Sequence, residues 1–531
     1  MEAAGALARG GISTLYEALR AAARNRSRAF WLVAGLTALA AALRFATLGS
    51  QAYHHDEIVT ASRVLRADFW HAMNAVGFSE SAPPLYYALA WLWTQATGTG
   101  EVGLRSLSAL FGVATVPVAY LLGAELPKLR SAVPFPGYRG ERNSGASRAG
   151  LVAAALVAVN PMLLWYSQEA RGYALLVLLT AVAALYFVRA LDGGRRRDLH
   201  GWGIAAGLAL ATHYFALFPI ALEAAWLWRR RGRRALAGLW IVAAAGLLLA
   251  PLAVHQMLEG RAEWIGNHGL GHRLWEAAAT FFVGETGDII ARPESLLPAL
   301  VPLLAAAVLL ALLAARGDRR ERAAAGRMLA LAAATLAVPL ALALFIPGKD
   351  YVLARNLIPA LVPLLVALAI GATLSAARRL GAVAAVVLVL YSLGFSVAAS
   401  LSPALQRPDW EAVAAELGEP EAPRAMVSWT LGHASLRYYL STGSFQAQAA
   451  DGYSWFVHEV DFISDGPAPP VPARLLGPRF RQVGQERVGR LQIRRYALPG
   501  GDLAHLRLRR VDDAQLNFRN NGVLLDGMGP P

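Results

Sequence analysis

The sequence predicts a polytopic, all-α membrane protein that ends in a small α/β domain. Of its 531 residues, 56% are hydrophobic, and the mean hydropathy is +0.40, well above what a soluble globular protein needs. Apolar runs of about 17–22 residues recur up to about residue 400, and such a run can cross a hydrocarbon core as a helix. Because lipid-exposed backbone must satisfy its own hydrogen bonds, helices are the expected spanning elements.

The basic residues predict how the chain is oriented. The net charge is +14, it comes almost wholly from Arg, and basic clusters favour cytoplasmic loops. The clusters lie in residues 1–29 and at 128–148, 195–197, 229–234, 316–327 and 378–379. Placing all of them in the cytoplasm requires eleven crossings, with the N-terminus inside and the C-terminus outside. We therefore interpret the charge as a topology signal rather than as a nucleic-acid surface.

Each crossing follows from an apolar run and this parity. The predicted crossings are 30–48, 105–127, 149–165, 172–190, two short ones within 201–228 that meet near His213, then 235–254, 296–315, 328–346, 356–374 and 380–400. The short run 83–95 opens with Pro-Pro and is interpreted as a juxtamembrane or re-entrant helix in a long first external loop, 49–104. A second long external loop is expected at 255–295. Residues 1–29 form a cytoplasmic N-terminus, and the run after them is interpreted as a retained helix, not a cleaved signal.

The composition becomes polar after residue 400, with Pro-rich linkers at 419–423 and 467–473. Ala425–Trp429 and Gly489–Ala497 are predicted strands, and Gly432–Leu440 is a predicted helix. Residues 401–531 therefore form the expected α/β domain, which is of ordinary domain size and lies on the outer face.

The run His54-His55-Asp56-Glu57 directly after the first helix is the leading candidate for chemistry. Ionisable groups at a membrane surface are costly and are functional-site candidates by default. The chain has no Cys, which excludes a thiol nucleophile, a disulfide or a thiolate metal site. It also lacks an Asp-x-Asp triplet and a Gly-rich phosphate loop, which argues against nucleotide-sugar, ATP and dinucleotide chemistry.

Several short motifs then occur in a characteristic order. They are Asp56-Glu57, Pro83-Pro84-Leu85-Tyr86-Tyr87, Arg105-Ser106-Leu107-Ser108-Ala109-Leu110, Asn160-Pro161, Tyr166-Ser167-Gln168-Glu169-Ala170-Arg171-Gly172-Tyr173, Ala211-Thr212-His213-Tyr214 and Arg355-Asn356-Leu357-Ile358-Pro359. Their order and membrane placement resemble the type C glycosyltransferases, in particular the group containing the protein O-mannosyltransferases and the lipid A aminoarabinose transferases. The resemblance covers about residues 30–375.

This resemblance implies a polyprenyl-phosphate sugar donor, an external acceptor, and a catalytic Asp in the first loop, which corresponds to Asp56. Two positions depart from the family pattern. The family often has Lys where this chain has His213, and an Arg-Tyr pair where it has Arg355-Asn356. Both departures leave the donor contacts, and so the identity of the sugar, open.

The chemistry itself asks for a base and for cations. A carboxylate can remove the acceptor proton, and Arg suits the departing phosphate because it binds oxygens bidentately. We assign Asp56 as the base and Arg355 as the leading phosphate ligand, in one displacement that inverts the anomeric centre. Glu57 is expected to orient the loop or bind a sugar hydroxyl. The other candidate substrate-binding residues are His55, Arg105, Glu169, Arg171, Tyr173, His213, Lys349 and Tyr351.

No cofactor is expected to be required, although Asp56 with His54 or His55 could hold a divalent ion. A transporter or flippase of lipid-linked glycans is the alternative function, but it predicts mid-helix charges, and few are present. Mannose, glucose and arabinose-like sugars all stay open, as do lipid, glycan and protein acceptors; nucleic acid is not an expected partner. The expected location is the plasma membrane of a bacterial cell envelope.

Overall fold

The computed structural model describes residues 28–65, 68–126, 142–191, 193, 195–260, 265–266, 269–285, 296–346, 349–440, 445–447, 455–467, 476–506 and 521–526. The predicted cytoplasmic N-terminus therefore lies almost entirely outside the described residues. The same holds for most of the basic cluster at 128–148 and for parts of the loop 255–295.

The described residues as far as Leu401 are mainly helical. They are α1 Arg28–Phe45, α2 His55–Val59, α3 Phe69–Ser79, α4 Leu85–Thr97, α5 Glu101–Glu125, α6 Arg142–Val159, α7 Pro161–Ser167, α8 Tyr173–Leu191, α9 Arg196–Thr212, α10 Leu217–Arg231, α11 Leu236–Leu258, α12 Leu270–Val283, α13 Leu296–Arg316, α14 Arg319–Phe345, α15 Leu361–Ala372 and α16 Arg378–Leu401. A π-helical turn, Thr60–Val64, follows α2, and a 3₁₀ helix, Ala354–Ala360, leads into α15.

Eight helical segments of the described chain are long and apolar enough to cross a membrane, or nine if the bent pair α6–α7 is one span. The protein is therefore a multi-pass membrane protein, while the count of eleven crossings and their orientation stay predictions. Helix α4 has 13 residues, about 20 Å at 1.5 Å per residue, which is too short to span. This agrees with its interpretation as a juxtamembrane or re-entrant helix.

The eight segments include Tyr214–Leu258 as one stretch of 45 residues, yet the chain turns back within it. Gly232 ends α10 with φ +53°, a conformation that glycine adopts without a steric penalty. Tyr214 Oη, before α10, donates to Gln256 Oε1, near the end of α11, at 2.8 Å. The helices α10 and α11 are therefore antiparallel, as expected for two crossings that meet at the basic cluster 229–234.

A bend between α6 and α7 directs the chain into the first loop region. Asn160 caps α7 by accepting from Leu163 N at 3.0 Å, and Pro161 occupies the first helical position, where a missing N–H costs nothing. The Asn160 amide also donates to Phe281 O at 2.9 Å. The two helices meet at 56°. Helix α7 ends at Ser167, and the segment 168–172 that follows it contacts α2 through the hydrogen bond from Ala170 N to Glu57 Oε1.

The C-terminal region contains a six-stranded mixed sheet. The strands are β1 Arg424–Trp429, β2 Phe445–Ala447, β3 Trp455–Val457, β4 Glu459–Asp465, β5 Arg481–Val488, β6 Leu491–Ala497, β7 Ala504–Leu506 and β8 Asn521–Asp526. The sheet order is β2-β8-β1-β4-β6-β5, while β3 and β7 form a separate pair; only β1 and β4 are parallel within the larger sheet. Helices α17 Trp410–Leu417 and α18 Thr430–Tyr439 pack on it. The predicted strands and helix correspond to β1, β6 and α18.

Helix α18 joins this region to the first loop. The backbone N–H of Tyr53 donates to Tyr439 Oη at 2.8 Å, and Tyr439 Oη donates to Glu101 Oε1 at 2.8 Å. The rings of Tyr53 and Tyr438 lie edge to face with centroids 5.9 Å apart. The C-terminal region therefore contacts the loop that carries Asp56.

Candidate active site

A cavity of about 550 Å³ opens between the first loop and the ends of α8 to α11 and α14. It combines polar groups with an apolar wall, as ligand sites usually do. Of the eleven residues predicted for the site, seven line it: Asp56, Arg171, Tyr173, His213, Lys349, Tyr351 and Arg355. Sequence positions as distant as 56 and 355 therefore meet at one surface.

Asp56 lies in the first turn of α2, and its side chain is about a quarter exposed, at 26%. Its Oδ1 atom is 3.3 Å from His55 Nε2, and its Oδ2 atom is 3.8 Å from Arg355 Nη1. Arg171 Nη1 approaches the Asp56 backbone oxygen at 3.4 Å. The predicted base and the predicted phosphate ligand thus face the same space.

The surroundings keep Asp56 ionised. Burial alone would raise its pKa, but the charge of Arg171, followed by the hydrogen bond and charge of His55, outweighs burial and holds the pKa well below its usual range. The carboxylate is therefore ionised throughout the neutral range, which a general base requires.

A second acid in the cavity, Glu80, is a site residue that the sequence prediction did not include. Its Oε2 atom is 2.6 Å from Arg171 Nη2 and accepts from Tyr87 Oη at 2.8 Å. Its position just before Pro83-Pro84, in the first loop, was the available sequence signal. Glu80 fixes the orientation of the Arg171 guanidinium, because charge-assisted hydrogen bonds are short and strong.

Aromatic rings form one wall of the cavity. The ring centroid of His213 lies 5.6 Å from that of Tyr173 and 5.2 Å from that of Phe215, and Phe215 lies 5.8 Å from Tyr351. Burial lowers the pKa of His213 to about 3, and Arg171 and Arg355 add to the effect, so the imidazole is neutral. Phe215 N donates to His213 Nδ1 at 3.3 Å, which leaves Nε2 as the protonated nitrogen.

Four predicted substrate ligands do not line the cavity: His55, Glu57, Arg105 and Glu169. Glu57 is fully buried and accepts five hydrogen bonds. Its Oε1 accepts from Arg105 Nε at 2.8 Å and Ala170 N at 2.8 Å. Its Oε2 accepts from Arg105 Nη2 at 2.8 Å, Arg407 Nη1 at 2.8 Å and His54 N at 2.9 Å.

These contacts favour structural roles for the four residues, and their predicted substrate-binding roles stay predictions. A carboxylate offers about four lone-pair sites, so Glu57 has no capacity left for a sugar hydroxyl and orients the loop instead. The Arg105 guanidinium donates its hydrogen bonds to Glu57 and to backbone oxygens, including that of Gln51 at 2.7 Å. Glu169 Oε2 pairs with Arg407 Nη2 at 2.7 Å. His55 contacts Asp56 and lies against His54, with ring centroids 3.9 Å apart and the ring planes tilted by 48°.

Lys349 and Tyr351 reach the cavity from a short segment before the 3₁₀ helix. Asp350, between them, forms a two-point ion pair with Arg273 of α12 and accepts from Val352 N at 3.1 Å. Burial would raise the pKa of Asp350, but the hydrogen bond from Arg273 lowers it. The pair anchors the segment on which both cavity residues stand.

A metal ion has one candidate position among the described residues. His54, His55 and Asp56 each offer a ligand atom, and these atoms lie within 4.8 Å of one another. Two nitrogens and one carboxylate oxygen are a donor set that Zn²⁺ accepts. The expectation that no metal is required stays a prediction.

Three solved structures are similar to this chain. ArnT from Cupriavidus metallidurans, bound to undecaprenyl phosphate, has 15% identity and a TM-score of 0.46, over 88% of this chain and 98% of ArnT. An Archaeoglobus fulgidus oligosaccharyltransferase, in complex with Zn and sulfate, has 13% identity and a TM-score of 0.39, over 73% and 55%. The S. cerevisiae protein O-mannosyltransferase Pmt1–Pmt2 complex, bound to the sugar donor, has 19% identity and a TM-score of 0.30, over 49% and 37%. Because these scores lie below 0.5, we draw nothing further from them.

One segment of the chain matches a known protein family. None of the curated proteins compared with it matches, but residues 138–257 match the family described as dolichyl-phosphate-mannose-protein mannosyltransferase. That segment includes Arg171 and His213 and excludes Asp56 and Arg355. The match confirms the resemblance, predicted from the order of the motifs, to the type C glycosyltransferases of the protein O-mannosyltransferase group.

Proposed function

We propose that this protein is an inverting membrane glycosyltransferase that moves a sugar from a polyprenyl-phosphate carrier to an acceptor hydroxyl outside the cytoplasm. The observation that carries the proposal is the meeting of one ionised carboxylate, Asp56, with Arg171, Lys349 and Arg355 in a single cavity. A base beside a set of cations is what transfer from a phosphate leaving group needs.

The reaction is a single displacement. The acceptor oxygen forms a bond to the anomeric carbon while the bond from that carbon to the phosphate oxygen breaks. The hydroxyl proton passes to Asp56, and the electron pair of the broken bond leaves on the polyprenyl phosphate. Arg355, a cation that lines the same cavity as the base, is the leading ligand for that phosphate. Attack opposite to the leaving group inverts the anomeric centre.

The remaining walls suit the other parts of such a donor. The rings of Tyr173, His213 and Tyr351 offer flat apolar faces to a sugar, and His213 Nε2 offers a neutral hydrogen bond. The cavity is also lined by the apolar side chains of Leu217, Phe218, Ala253, Met257 and Leu342. Leu217 and Met257 are about half exposed, at 51% and 50%, on helices of spanning character, so a hydrocarbon chain can leave toward lipid.

The donor class also agrees with the description of the family that residues 138–257 match, which names a lipid-phosphate sugar. The predicted topology, with the N-terminus in the cytoplasm, places the cavity on the external side. The sugar and the acceptor stay open.

The test is donor consumption by the purified protein in proteoliposomes. Polyprenyl phosphates carrying radiolabelled mannose, glucose or an arabinose-like sugar are each offered with lipid, glycan and peptide acceptors. We expect one of the donors to release its polyprenyl phosphate and to label an acceptor with the opposite anomeric configuration. The proposal fails if the protein moves lipid-linked glycans across the bilayer and consumes none of the donors.

A further inference from the structure

Beyond the cavity, one buried cation connects the C-terminal region to the loop that carries Asp56. We propose that Arg407 is a positioning residue, which holds the Asp56 loop and the Arg171 loop in register, so that the connector to the C-terminal region completes the active site. This inference rests on the proposed function for its kinetic consequences, and on the contacts of Arg407 for its structural ones.

Arg407 follows α16 and precedes α17, and only 8% of it is exposed. Its Nη1 donates to Glu57 Oε2 at 2.8 Å, and its Nη2 donates to Glu169 Oε2 at 2.7 Å. Its backbone N–H donates to Gln51 Oε1 at 3.1 Å. The guanidinium lies 4.7 Å from the ring centroid of Trp165, within the range of a cation–π contact. One side chain therefore joins the first loop to the segment that follows α7.

Both carboxylates that Arg407 holds are next to cavity residues. Glu57 adjoins Asp56, and Glu169 stands two residues before Arg171. Glu57 also closes the start of α2 by accepting from His54 N at 2.9 Å. Since α2 has only five residues, it depends on such contacts rather than on its own length. A shift of Glu57 would therefore move Asp56 directly.

The buried charges explain why Arg407 is needed beside both Glu57 and Glu169. Glu57 and Glu169 are buried beside two guanidinium groups, those of Arg105 and Arg407. Removing one member of a buried ion pair leaves an uncompensated charge, which costs far more than losing an exposed pair. Burial already raises the pKa of Glu169 to about 7, with Arg407 opposing and Glu57 and Asp56 adding to the rise. Without Arg407, Glu169 is the group left unpaired.

Arg407 does not line the cavity, so it acts through other residues and not on the substrate. Its loss should lower kcat, because the base is displaced, and should raise the donor KM by a smaller factor through the Arg171 loop. A misplacement of about 1 Å can cost about 10²-fold in rate, and we expect a fall of this order.

The experiment compares Arg407→Gln with the double variant Arg407→Gln/Glu169→Gln at pH 8.5, above the pKa of about 7 that Glu169 has with Arg407 present. The single variant should lose about 10²-fold in kcat, and the double variant, which removes the unpaired carboxylate, should recover a substantial part of it. Arg490→Gln is the matched control, because Arg490, at the turn between β5 and β6 of the C-terminal sheet, pairs with Asp465. It should transfer at the wild-type rate.

Hydrogen exchange gives a readout that does not depend on transfer. Peptides covering 53–59 and 168–173 should exchange faster in Arg407→Gln, including the Ala170 amide that donates to Glu57, and should be protected again in the double variant. Unchanged exchange and unchanged kcat would overturn the inference, as would a change in donor KM alone. If Arg407→Gln does not fold, Arg407→Lys and the double variant provide the same comparison. If the wild type consumes no lipid-phosphate sugar, the proposed function fails, and the exchange data still decide the role of Arg407.

Discussion

Replacement of Asp56 by Asn is the most direct test of the proposed chemistry, because it changes charge and proton affinity but hardly changes shape. The amide keeps the volume of the carboxylate and its place 3.3 Å from His55 Nε2. It loses the ability to accept the acceptor proton. The cavity wall, with Glu80 still bonded to Arg171, should stay intact.

The size of the loss follows from general-base catalysis. A positioned base contributes about 10²–10⁴-fold in rate, which is about 3–5 kcal/mol of transition-state stabilisation at 1.36 kcal/mol per tenfold. For Asp56 we expect a loss near the middle of this range, about 10³-fold. Its cationic neighbours hold its pKa well below the usual range, so wild type has almost all of the carboxylate ionised at neutral pH, and the variant has none.

The assay is single-turnover transfer from the donor that wild type consumes, together with direct binding of polyprenyl phosphate. We expect a loss of about 10³-fold in rate with lipid binding retained. Asp502→Asn, which removes an exposed carboxylate of the C-terminal region, controls for loss of a charge. Wild-type transfer by Asp56→Asn would refute the assignment of the base, and loss of lipid binding would mean that Asp56 acts mainly in binding.

Three further outcomes are expected. Arg355→Ala should raise the donor KM about tenfold or more, as loss of a phosphate contact does, and kinetics equal to wild type would remove it from the site. Glu169→Gln should change the pH dependence of thermal unfolding: the folded-state pKa of about 7 exceeds the ordinary 4.5, so the stability from this group is full below about pH 4.5 and lost as pH rises through 7. The advantage in Tm of the Gln variant over wild type should therefore grow from pH 5 to pH 8, and a constant difference would contradict it. Transfer should persist after dialysis against EDTA, whereas loss and rescue by Zn²⁺ would assign a metal to His54, His55 and Asp56.

Hydropathy and Arg placement predict much of the membrane region, because both follow from the cost of polar groups in lipid. The predicted crossing 172–190 corresponds to α8, Tyr173–Leu191, and the predicted turn near His213 separates α9 from α10. The same parity argument placed Asp56, Arg171 and Arg355 on one side, and they line one cavity. Orientation predicts which groups can meet, even when they are hundreds of residues apart.

The sequence does not predict which charged residues stabilise the structure instead of binding substrate. Glu57 and Arg105 are of the same residue types as the charged residues that line the cavity, and they lie in the same motifs. Their polar atoms are nevertheless hydrogen-bonded to each other and to the backbone. Arg407 carried no sequence signal, since an Arg after the last apolar run is typical of a surface position. Such partners, 350 residues apart for Arg407 and Glu57, follow from tertiary packing and not from local pattern.

The choice between the two adjacent acids depends on this distinction. A general base must keep an oxygen that can reach the substrate, and it must be ionised. Glu57 satisfies only the second condition: burial would raise its pKa, but Arg105 and Arg407 lower it to about 2, and their hydrogen bonds occupy its oxygens. Asp56 satisfies both, since its side chain is 26% exposed to the cavity side. Glu57→Gln should therefore disturb the loop and slow transfer through Asp56, whereas Asp56→Asn should lower transfer about 10³-fold with the loop in place. Hydrogen exchange of residues 53–59 separates the two.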